Sequence, residues 1–344
     1  MRIGIDIRFV IHKEEYIASY LSSRGHRYDV LDGCKAIRKS TESYLDYIYT
    51  GIKAVPKIIR YIRENDIKIV HTNGKDMHRT WAVPARMAKI RHIWHERGKF
   101  NMNMLDRKVA SCSDVIIPIS DYSYKAIPPA LLARSRRVNN PIYVNHPDKS
   151  EIDKIRKDIL QNQEGKIVGI FSRLERPRKR IGLFVNIAKK LIMKYGENIH
   201  FLICGRGEEE TIANIVKEAG PYRHQFHIKG LVHPVEPWMA ASDCIVAPAI
   251  AEPLGRTPLE ASALDIPVVA ARDGGHIETV IDGVTGFLVQ PDNVDEFSEK
   301  IILVLNGATC GRESKIARDH LLEKYNPQLN AEILKNIYLD LLQR

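Results

Sequence analysis

Two glutamates stand eight positions apart in the stretch EPLGRTPLE, directly after the apolar run CIVAPAIA. Glu252 and Glu260 flank a glycine, and the residues PLEASALD that follow combine proline at a favoured first helical position with good helix formers. We therefore predict that a helix begins here, at the end of a strand. Its first N–H groups, around Arg256 and Thr257, are a site for phosphate, and Gly255 lets a ligand approach closely.

A purely structural role is the alternative for the same stretch. Thr257 and Glu260 have the spacing of a capping box, in which the two side chains only close the end of a helix. The stretch alone leaves both readings open.

A basic run follows the first strand of the second half of the chain. In FSRLERPRKRIGLF the cations lie where the strand opens into its loop, and they are Arg173, Arg176, Arg178, Lys179 and Arg180. Such side chains bind diphosphate oxygens through charge-assisted hydrogen bonds of about 1.5 to 3 kcal/mol each. With a helix N-terminus they could hold a nucleotide diphosphate without a metal, and the sequence has no Asp-x-Asp pair to carry magnesium. A solvated surface run is the alternative.

Short β-branched runs alternate with helix-like stretches along the chain, which is typical of parallel sheets covered by helices. The predicted strands are 2–7, 28–31, 67–71, 91–95 and 115–119, and then 166–171, 199–204, 227–230, 244–248, 267–271 and 286–290. Each set suffices for one doubly wound sheet, and the segment 139–165 loses this alternation. We predict an α/β chain with domains over 1–150 and 151–325. The segment 326–344 is predicted to be an amphipathic helix, for which packing back across the boundary is one arrangement.

The charge of the chain is concentrated in its first half. The net charge is +10, yet residues 1–150 contain 27 lysines and arginines against 15 acidic residues. Such a field attracts nucleic acid, an anionic membrane or a phosphorylated acceptor, unless it is an ordinary solvated surface. No nucleic-acid recognition motif accompanies it, so nucleic acid is not expected as a partner.

The cysteines and the apolar runs predict the compartment. The five cysteines are widely spaced, without a CxxC pair, which fits a reduced cytoplasmic protein. The N-terminal MRIGIDIRFV carries charges where a signal peptide needs an apolar core, and no apolar run approaches the ~20 residues that span a bilayer. We expect a protein that is neither secreted nor membrane-spanning.

The second half resembles the family-4 retaining glycosyltransferases of the GT-B fold, whose signature is E-x7-E. The resemblance runs from about residue 166 to 290 and includes FSRL, HIKGLVHPVEPWMAASDCIVAPA and IPVVAARDGGHIETVIDGVTGFLVQP. It implies two Rossmann-like doubly wound domains that face a central cleft. In the family, the residue matching Glu260 binds the ribose hydroxyls and the residue matching Glu252 holds the donor sugar. The donor-binding residues that the resemblance implies are Leu254, Gly255, Arg256, Thr257, Glu260 and Arg178.

The resemblance also implies which cations meet the diphosphate. They correspond to Arg173 and Lys179, but one extra residue separates the two compared with the usual spacing. The role of the lysine could therefore belong to Arg178 or Arg180 instead. The predicted catalytic residues are His95, Arg173, Lys179 and Glu252.

The first half resembles the acceptor domain of the same family more loosely. IKIVHTNG matches its third strand, and RHIWHERG matches the strand whose histidine lies beside the transferred sugar, here His95. A satisfied core histidine is the alternative. The family usually has a glycine-rich loop after the first strand, whereas this chain has no glycine between Gly4 and Gly25, so the contact of this domain with the donor stays open.

These expectations predict a retaining glycosyltransferase of the hexosyltransferase type, acting in bacterial cell-surface glycan or lipopolysaccharide synthesis. The donor would be a nucleotide-diphosphate sugar, the acceptor a saccharide or a lipid-linked acceptor, and no metal or other cofactor is expected. The departing phosphate would itself deprotonate the acceptor hydroxyl. The basic segments KAVPKIIRYIRENDIK and ALLARSRRV suggest peripheral contact with the anionic inner face of the cell membrane. The alternative is that these segments are helices packed on their own sheet, with solvated charges.

Other readings of the chain remain. A GT-B enzyme that hydrolyses or epimerises sugar nucleotides would use the same residues, and so would a catalytically silent nucleotide-sugar-binding module. A dinucleotide-binding dehydrogenase is suggested by Gly205-Arg206-Gly207. The three acids that follow would repel a pyrophosphate, and the last glycine of the fingerprint is missing.

Overall fold

The protein is described by a computed structural model, which covers residues 5–13, 16–31, 44–98, 102–161, 163–174, 177–309 and 311–343. The chain divides into two compact units. Unit 1 contains Met1–Asn139 and Gln328–Arg344, and unit 2 contains Asn140–Pro327. The boundary lies eleven residues before the expected end of the first domain at 150, because the segment after Asn139 bonds within unit 2. There the N–H of Ile142 donates to the carbonyl of Tyr325 at 3.2 Å.

The strands follow the apolar runs of the sequence. They are β1 (Phe9–Ile11), β2 (Tyr28–Val30), β3 (Ile69–Asn73), β4 (Arg91–Glu96), β5 (Val115–Pro118), β6 (Lys166–Phe171), β7 (Ile199–Cys204), β8 (Phe226–Gly230), β9 (Cys244–Ala247), β10 (Val268–Ala271) and β11 (Gly286–Val289). The prediction of a first strand over 2–7 was wrong in its described part. Residues 5–8 form no strand, and pairing with β2 starts at Phe9, where an uninterrupted apolar run begins.

Helices connect these strands. They are α1 (Tyr16–Ser23), α2 (Tyr44–Glu64), α3 (Lys75–Met87), α4 (Met104–Ala110), α5 (Asp121–Lys125), α6 (Pro129–Leu132), α7 (Lys149–Leu160), α8 (Ile181–Tyr195), α9 (Glu209–Ala219), α10 (Glu236–Ala240), α11 (Arg256–Ala263), α12 (His276–Thr279), α13 (Val294–Leu305), α14 (Arg312–Glu323) and α15 (Pro327–Gln343). Among the described residues, none of these helices has the length and the apolar character that crossing a membrane requires.

Unit 2 is a doubly wound parallel sheet. Its strand order is β11-β10-β9-β6-β7-β8, and every neighbouring pair is parallel. Alternate residues of each strand point to opposite faces. One face packs under α8, α9 and α13, and the other under α7, α10 and α11. The chain reverses its direction of strand addition between β6 and β9, and ligands of such sheets bind at that switch point, beyond the carboxyl ends of the strands.

Unit 1 contains a smaller parallel sheet, β3-β4-β5, and the parallel pair β1-β2. The register pairs Asn73 with His95, so His71, Asn73 and His95 share one face of the sheet. Helix α15 packs on this face through Ile337 and Leu341. Helices α3 and α4 cover the opposite face. The C-terminal helix therefore belongs to unit 1, although 188 residues of unit 2 precede it in the chain.

Candidate functional site

A pocket of about 450 Å³ opens at the switch point of the unit 2 sheet. It is formed by the ends of β6 and β9, the basic loop after β6 and the start of α11, all within unit 2. Its polar lining consists of Ser172, Arg173, Arg178, Lys179, Glu252, Arg256, Thr257, Glu260 and His276. Arg173 and Glu260, which come from segments more than 80 positions apart, thus share one pocket.

The carboxylate of Glu252 is held between two cations. Its Oε2 accepts hydrogen bonds from Arg178 Nη1 at 2.5 Å and from Lys179 Nζ at 2.9 Å. Burial opposes ionisation of this carboxyl, but the attraction of Lys179 and then of Arg178 outweighs it and lowers the pKa of Glu252. The carbonyl of Arg178 accepts from the N–H of Ile250 at 3.0 Å, which ties the basic loop to the segment after β9. Glu252 is therefore an ionised group with a fixed position.

The start of α11 differs from its prediction. The helix begins at Arg256, two residues before the expected Pro258, and its N-cap is Gly255 with φ 81° and no side-chain cap bond. The capping-box reading is wrong for this structure. Thr257 lies inside the helix and donates its hydroxyl to the carbonyl of Phe171 at 3.2 Å, while Glu260 accepts from Arg256 at 2.9 Å. The first N–H groups of the helix are left for a ligand or solvent.

Gly255 is required by its surroundings as well as by its backbone. A Cβ at this position would lie 2.6 Å from Cδ2 of His276 and 3.0 Å from Oγ1 of Thr279. The positive φ adds strain for any L side chain. This glycine therefore allows the start of α11 to pack directly against α12.

The loop Asp273–His276 is the part of the site that the sequence reasoning missed. The N–H of Gly275 donates to the carbonyl of Glu252 at 2.7 Å, and a Cβ on Gly274 would lie 2.5 Å from that same carbonyl oxygen. Burial lowers the pKa of His276 to about 4, so this pocket residue is neutral at pH 7. The available signal was position, because the two glycines and the histidine begin three positions after the last residue of β10.

Some residues that were predicted for the site, or that neighbour it in the sequence, do not line the unit 2 pocket. Leu254 is 2% exposed and does not line the pocket. Arg180 pairs with Asp292 at 2.6 Å and is also absent from the lining, which leaves Lys179 and Arg178 as the cations on Glu252. Arg176 lies outside the described residues. Ser172, which was not predicted, has a buried hydroxyl with no hydrogen-bond partner in the described part of the chain.

The glycines of Gly205-Arg206-Gly207 have a packing role. A Cβ on Gly205 would lie 1.6 Å from the carbonyl oxygen of Ser172, and one on Gly207 would lie 3.1 Å from Cβ of Leu174. They allow the loops after β6 and β7 to run side by side. These glycines therefore give no support to the interpretation of the chain as a dinucleotide-binding dehydrogenase.

His95 lies in unit 1, at the carboxyl end of β4. It is 1% exposed, and its Nδ1 lies 3.0 Å from Nε2 of His71. Its Nε2 is buried and has no hydrogen-bond partner among the described residues. Next to it, burial raises the pKa of Glu96, whose carboxylate accepts from the N–H of Gly98 at 2.9 Å. His95 is thus a core histidine on one side and an unpaired donor or acceptor on the other.

The charges of the unit 2 pocket suit a diphosphate. Among the described residues, four cationic side chains and two carboxylates line it, and His276 is neutral, so the described lining carries a surplus of two positive charges. In the part of the chain that the structure describes, no three His, Cys, Asp or Glu side chains are grouped so that they could hold a metal ion. The arrangement can bind an anion with two negative charges and orient a polar group beside Glu252.

The architecture is the GT-B fold. A glycosyltransferase from Rickettsia africae ESF-5 superimposes with a TM-score of 0.83 over 99% of this chain and 92% of that chain, at 15% identity. Anabaena Alr3699/HepE, solved in complex with UDP and glucose, gives a TM-score of 0.76 over 96% of this chain and 91% of its own, at 18% identity.

The sequence of unit 2 also matches one family model and several curated proteins. Residues 151–319 match the family model described as glycosyl transferases group 1. The poly(ribitol-phosphate) alpha-N-acetylglucosaminyltransferase of Staphylococcus aureus (strain COL) is 28% identical over 179 residues, which are 51% of this chain and 36% of that protein. The chain thus spans well under two thirds of the length of this curated relative.

Proposed function

We propose that this protein is a retaining glycosyltransferase that transfers a hexosyl group from a nucleotide-diphosphate sugar to an acceptor hydroxyl. The observation that carries the proposal is the geometry around Glu252. A buried carboxylate is held by Lys179 and Arg178 in the same pocket as the open N-terminus of α11. The group 1 family match over residues 151–319 supports the same class of reaction.

The phosphate end of the donor has two sources of positive potential. The backbone N–H groups of Arg256 and Thr257 begin α11, where the helix dipole favours an anion. Arg173 and Lys179 line the same pocket. As the glycosidic bond breaks, negative charge accumulates on the diphosphate, and donors already fixed in place stabilise this charge without reorganising.

The sugar and the ribose are assigned to the two glutamates. Glu252, ionised and fixed, accepts hydrogen bonds from hydroxyls of the donor sugar. Glu260 accepts from the ribose hydroxyls once its exposed partner Arg256 gives way, since that pair is an (i, i+4) surface contact of small energy. The leaving phosphate takes the proton of the acceptor hydroxyl on the face from which it departs, which keeps the anomeric configuration.

The charge of the pocket limits the classes of donor that fit it and favours chemistry without a metal. A surplus of two positive charges matches the two negative charges of a diphosphate that carries a neutral sugar. A uronic acid donor would bring a third negative charge, and a nucleoside monophosphate joined to a neutral sugar would bring only one. A bound magnesium ion would add two charges to a lining that already balances the ligand. The UDP in the similar Anabaena structure makes uridine the first base to test.

For the acceptor we propose a cell-surface saccharide, on the strength of the poly(ribitol-phosphate) named for the S. aureus relative. We further propose that unit 1 meets an anionic lipid surface. A groove of about 440 Å³ between α2 and the end of α3 is lined by Val55, Pro56, Ile59, Arg60, Arg63, Glu64 and Met87. Ile58 and Ile62 of α2 are core residues, so the groove supplies the apolar surface for this contact.

A thermal-shift panel of nucleotide sugars, each with and without EDTA, tests the donor site. A ligand at 100 times its dissociation constant should stabilise unit 2 by about 2.7 kcal/mol. We expect a shift with a UDP-linked or similar neutral sugar that EDTA leaves unchanged, and a smaller one with a uronic acid analogue. A chain that no nucleotide sugar stabilises would rule out the proposed donor site. Binding only in the presence of magnesium would overturn the metal-free part.

A further inference from the structure

A line of hydrogen bonds runs through unit 1 from the C-terminal helix to His95. The hydroxyl of Tyr338 lies 2.6 Å from Nδ1 of His71, and Nε2 of His71 lies 3.0 Å from Nδ1 of His95. The rings of the two histidines are 5.1 Å apart. The three side chains meet because α15 covers the face of the sheet on which His71 and His95 lie.

With neutral rings, one order of donors leaves a single polar group of this hydrogen-bonded line unpaired among the described residues, and the reverse order leaves two. Burial raises the pKa of Tyr338 to about 12, so its hydroxyl keeps its proton. Among the described residues, the hydrogen-bond partner that can accept this proton is Nδ1 of His71. His71 then carries its own proton on Nε2 and donates it to Nδ1 of His95. His95 must therefore carry its proton on Nε2. In the reverse order the part-buried hydroxyl of Tyr338 would have no acceptor among the described residues, and the buried Nε2 of His95 would also be left without a donor.

Both rings stay neutral in this arrangement. Burial, with a smaller contribution from the repulsion of Arg97, lowers the pKa of His71 to about 4. Burial and then Arg97 lower the pKa of His95 to about 2, with His71 adding to the effect. A neutral imidazole whose tautomer is fixed by its second nitrogen presents the same N–H at every physiological pH.

The far end of this line of hydrogen bonds is the unpaired Nε2 of His95. It is buried, and no described residue bonds to it. An N–H that is removed from water and lacks an acceptor is costly, so the arrangement fits an acceptor atom supplied by a ligand. We propose that Tyr338 and His71 are positioning residues, which hold His95 as a neutral Nε2–H donor to an oxygen of the saccharide substrate. The saccharide rests on the proposed function, whereas the order of protons does not.

Nitrogen-15 NMR of the histidine-labelled full chain tests the order of protons without any substrate. His71→Asn and His95→Asn variants assign the two rings. We expect both rings as the Nε2–H tautomer with no titration from pH 5 to 8, and a mixture of tautomers in Tyr338→Phe. A His95 ring with its proton on Nδ1, or one that titrates above pH 5, would overturn the proposal.

Turnover then tests the positioning role. With a nucleotide sugar that the wild-type chain uses, Tyr338→Phe should lower kcat about tenfold, the factor expected for one lost buried hydrogen bond, and leave the KM for the donor nearly unchanged. Tyr61→Phe is the matched control, because it removes a tyrosine hydrogen bond of the same 2.6 Å length, to Asp29, in the same unit. Equal kcat in the two variants would refute the role. A wild-type chain that turns over no nucleotide sugar would count against the proposed function, and the NMR experiment would still decide the proton order.

Discussion

At the scale of single residues, the site depends on a charge balance around one carboxylate. Burial alone would raise the pKa of Glu252, and Lys179 and Arg178 reverse this shift. The two cations have a second task in the proposed reaction, because they lie where the diphosphate would be bound. Replacing either one should therefore affect the ionisation of Glu252 and the stabilisation of the leaving group together.

Lys179→Ala is the most informative single substitution for testing the charge balance around Glu252. We expect turnover at saturating donor to fall by about 10² to 10³, the usual effect of removing one fixed donor to a developing negative charge. Because Lys179 contributes most to lowering the pKa of Glu252, that pKa should rise in the variant. Any loss of activity on the acid side should then begin at a higher pH than in the wild-type chain.

Initial rates from pH 4 to 8 measure both effects. Lys190→Ala is the control, since Lys190 also pairs with a carboxylate, that of Asp295, but lies outside the pocket. Its rates should stay within a factor of about two of the wild-type rates, as expected for an exposed pair. Near-normal turnover of Lys179→Ala at saturating donor would refute the assignment of this lysine.

At the scale of elements, the strands of unit 2 could be read from the sequence and the loops between them could not. β6 and β7 have the predicted bounds because buried parallel strands are nearly continuous apolar runs. The start of α11 was misplaced because its N-cap is a glycine with positive φ, which leaves no side-chain signal. The contact between His71 and Tyr338 spans 267 positions and follows only from the packing of α15 on the sheet.

The glycine at the start of α11 gives a prediction at this scale. Gly255→Ala should destabilise unit 2 by about 2 to 5 kcal/mol, since a left-handed backbone costs about 1 to 2 kcal/mol and a methyl group forced into a packed site costs about 1 to 3 kcal/mol more. It should also abolish stabilisation by the nucleotide sugar, because the helix start would have to move away from His276.

Urea unfolding with and without the ligand measures this prediction. Gly283→Ala is the matched control. Its φ of 75° is close to the 81° of Gly255, but a Cβ there would meet no atom within 4 Å. The control should lose only the backbone contribution and keep the ligand effect. Equal losses in the two variants would mean that the contact with His276 does not matter.

At the scale of the whole molecule, the positive charge is segregated. Residues 1–150 carry an excess of 12 positive charges, whereas the rest of the chain is slightly acidic. A field of this kind raises the local concentration of anionic partners and is weakened by salt. The groove between α2 and the end of α3 adds apolar surface to this field, including Met87, a residue that is 57% exposed. A phosphorylated acceptor in solution needs only the charge, whereas a lipid surface uses the charge and the groove together.

Vesicle co-sedimentation separates these two partners. We expect the wild-type chain to bind phosphatidylglycerol vesicles at low salt and to bind pure phosphatidylcholine vesicles much less. Arg60→Glu with Arg63→Glu should weaken this binding at least 30-fold, because each basic residue near an anionic surface contributes about 1 kcal/mol. Arg107→Glu with Lys108→Glu on α4 makes the same change in charge outside the groove and should weaken binding far less. If the two double variants bound equally, net charge alone would explain the attraction and the groove would have no part in it. If the wild-type chain did not bind anionic vesicles at low salt, the proposed contact with lipid would be wrong, and the basic surface of unit 1 would instead fit a phosphorylated acceptor in solution.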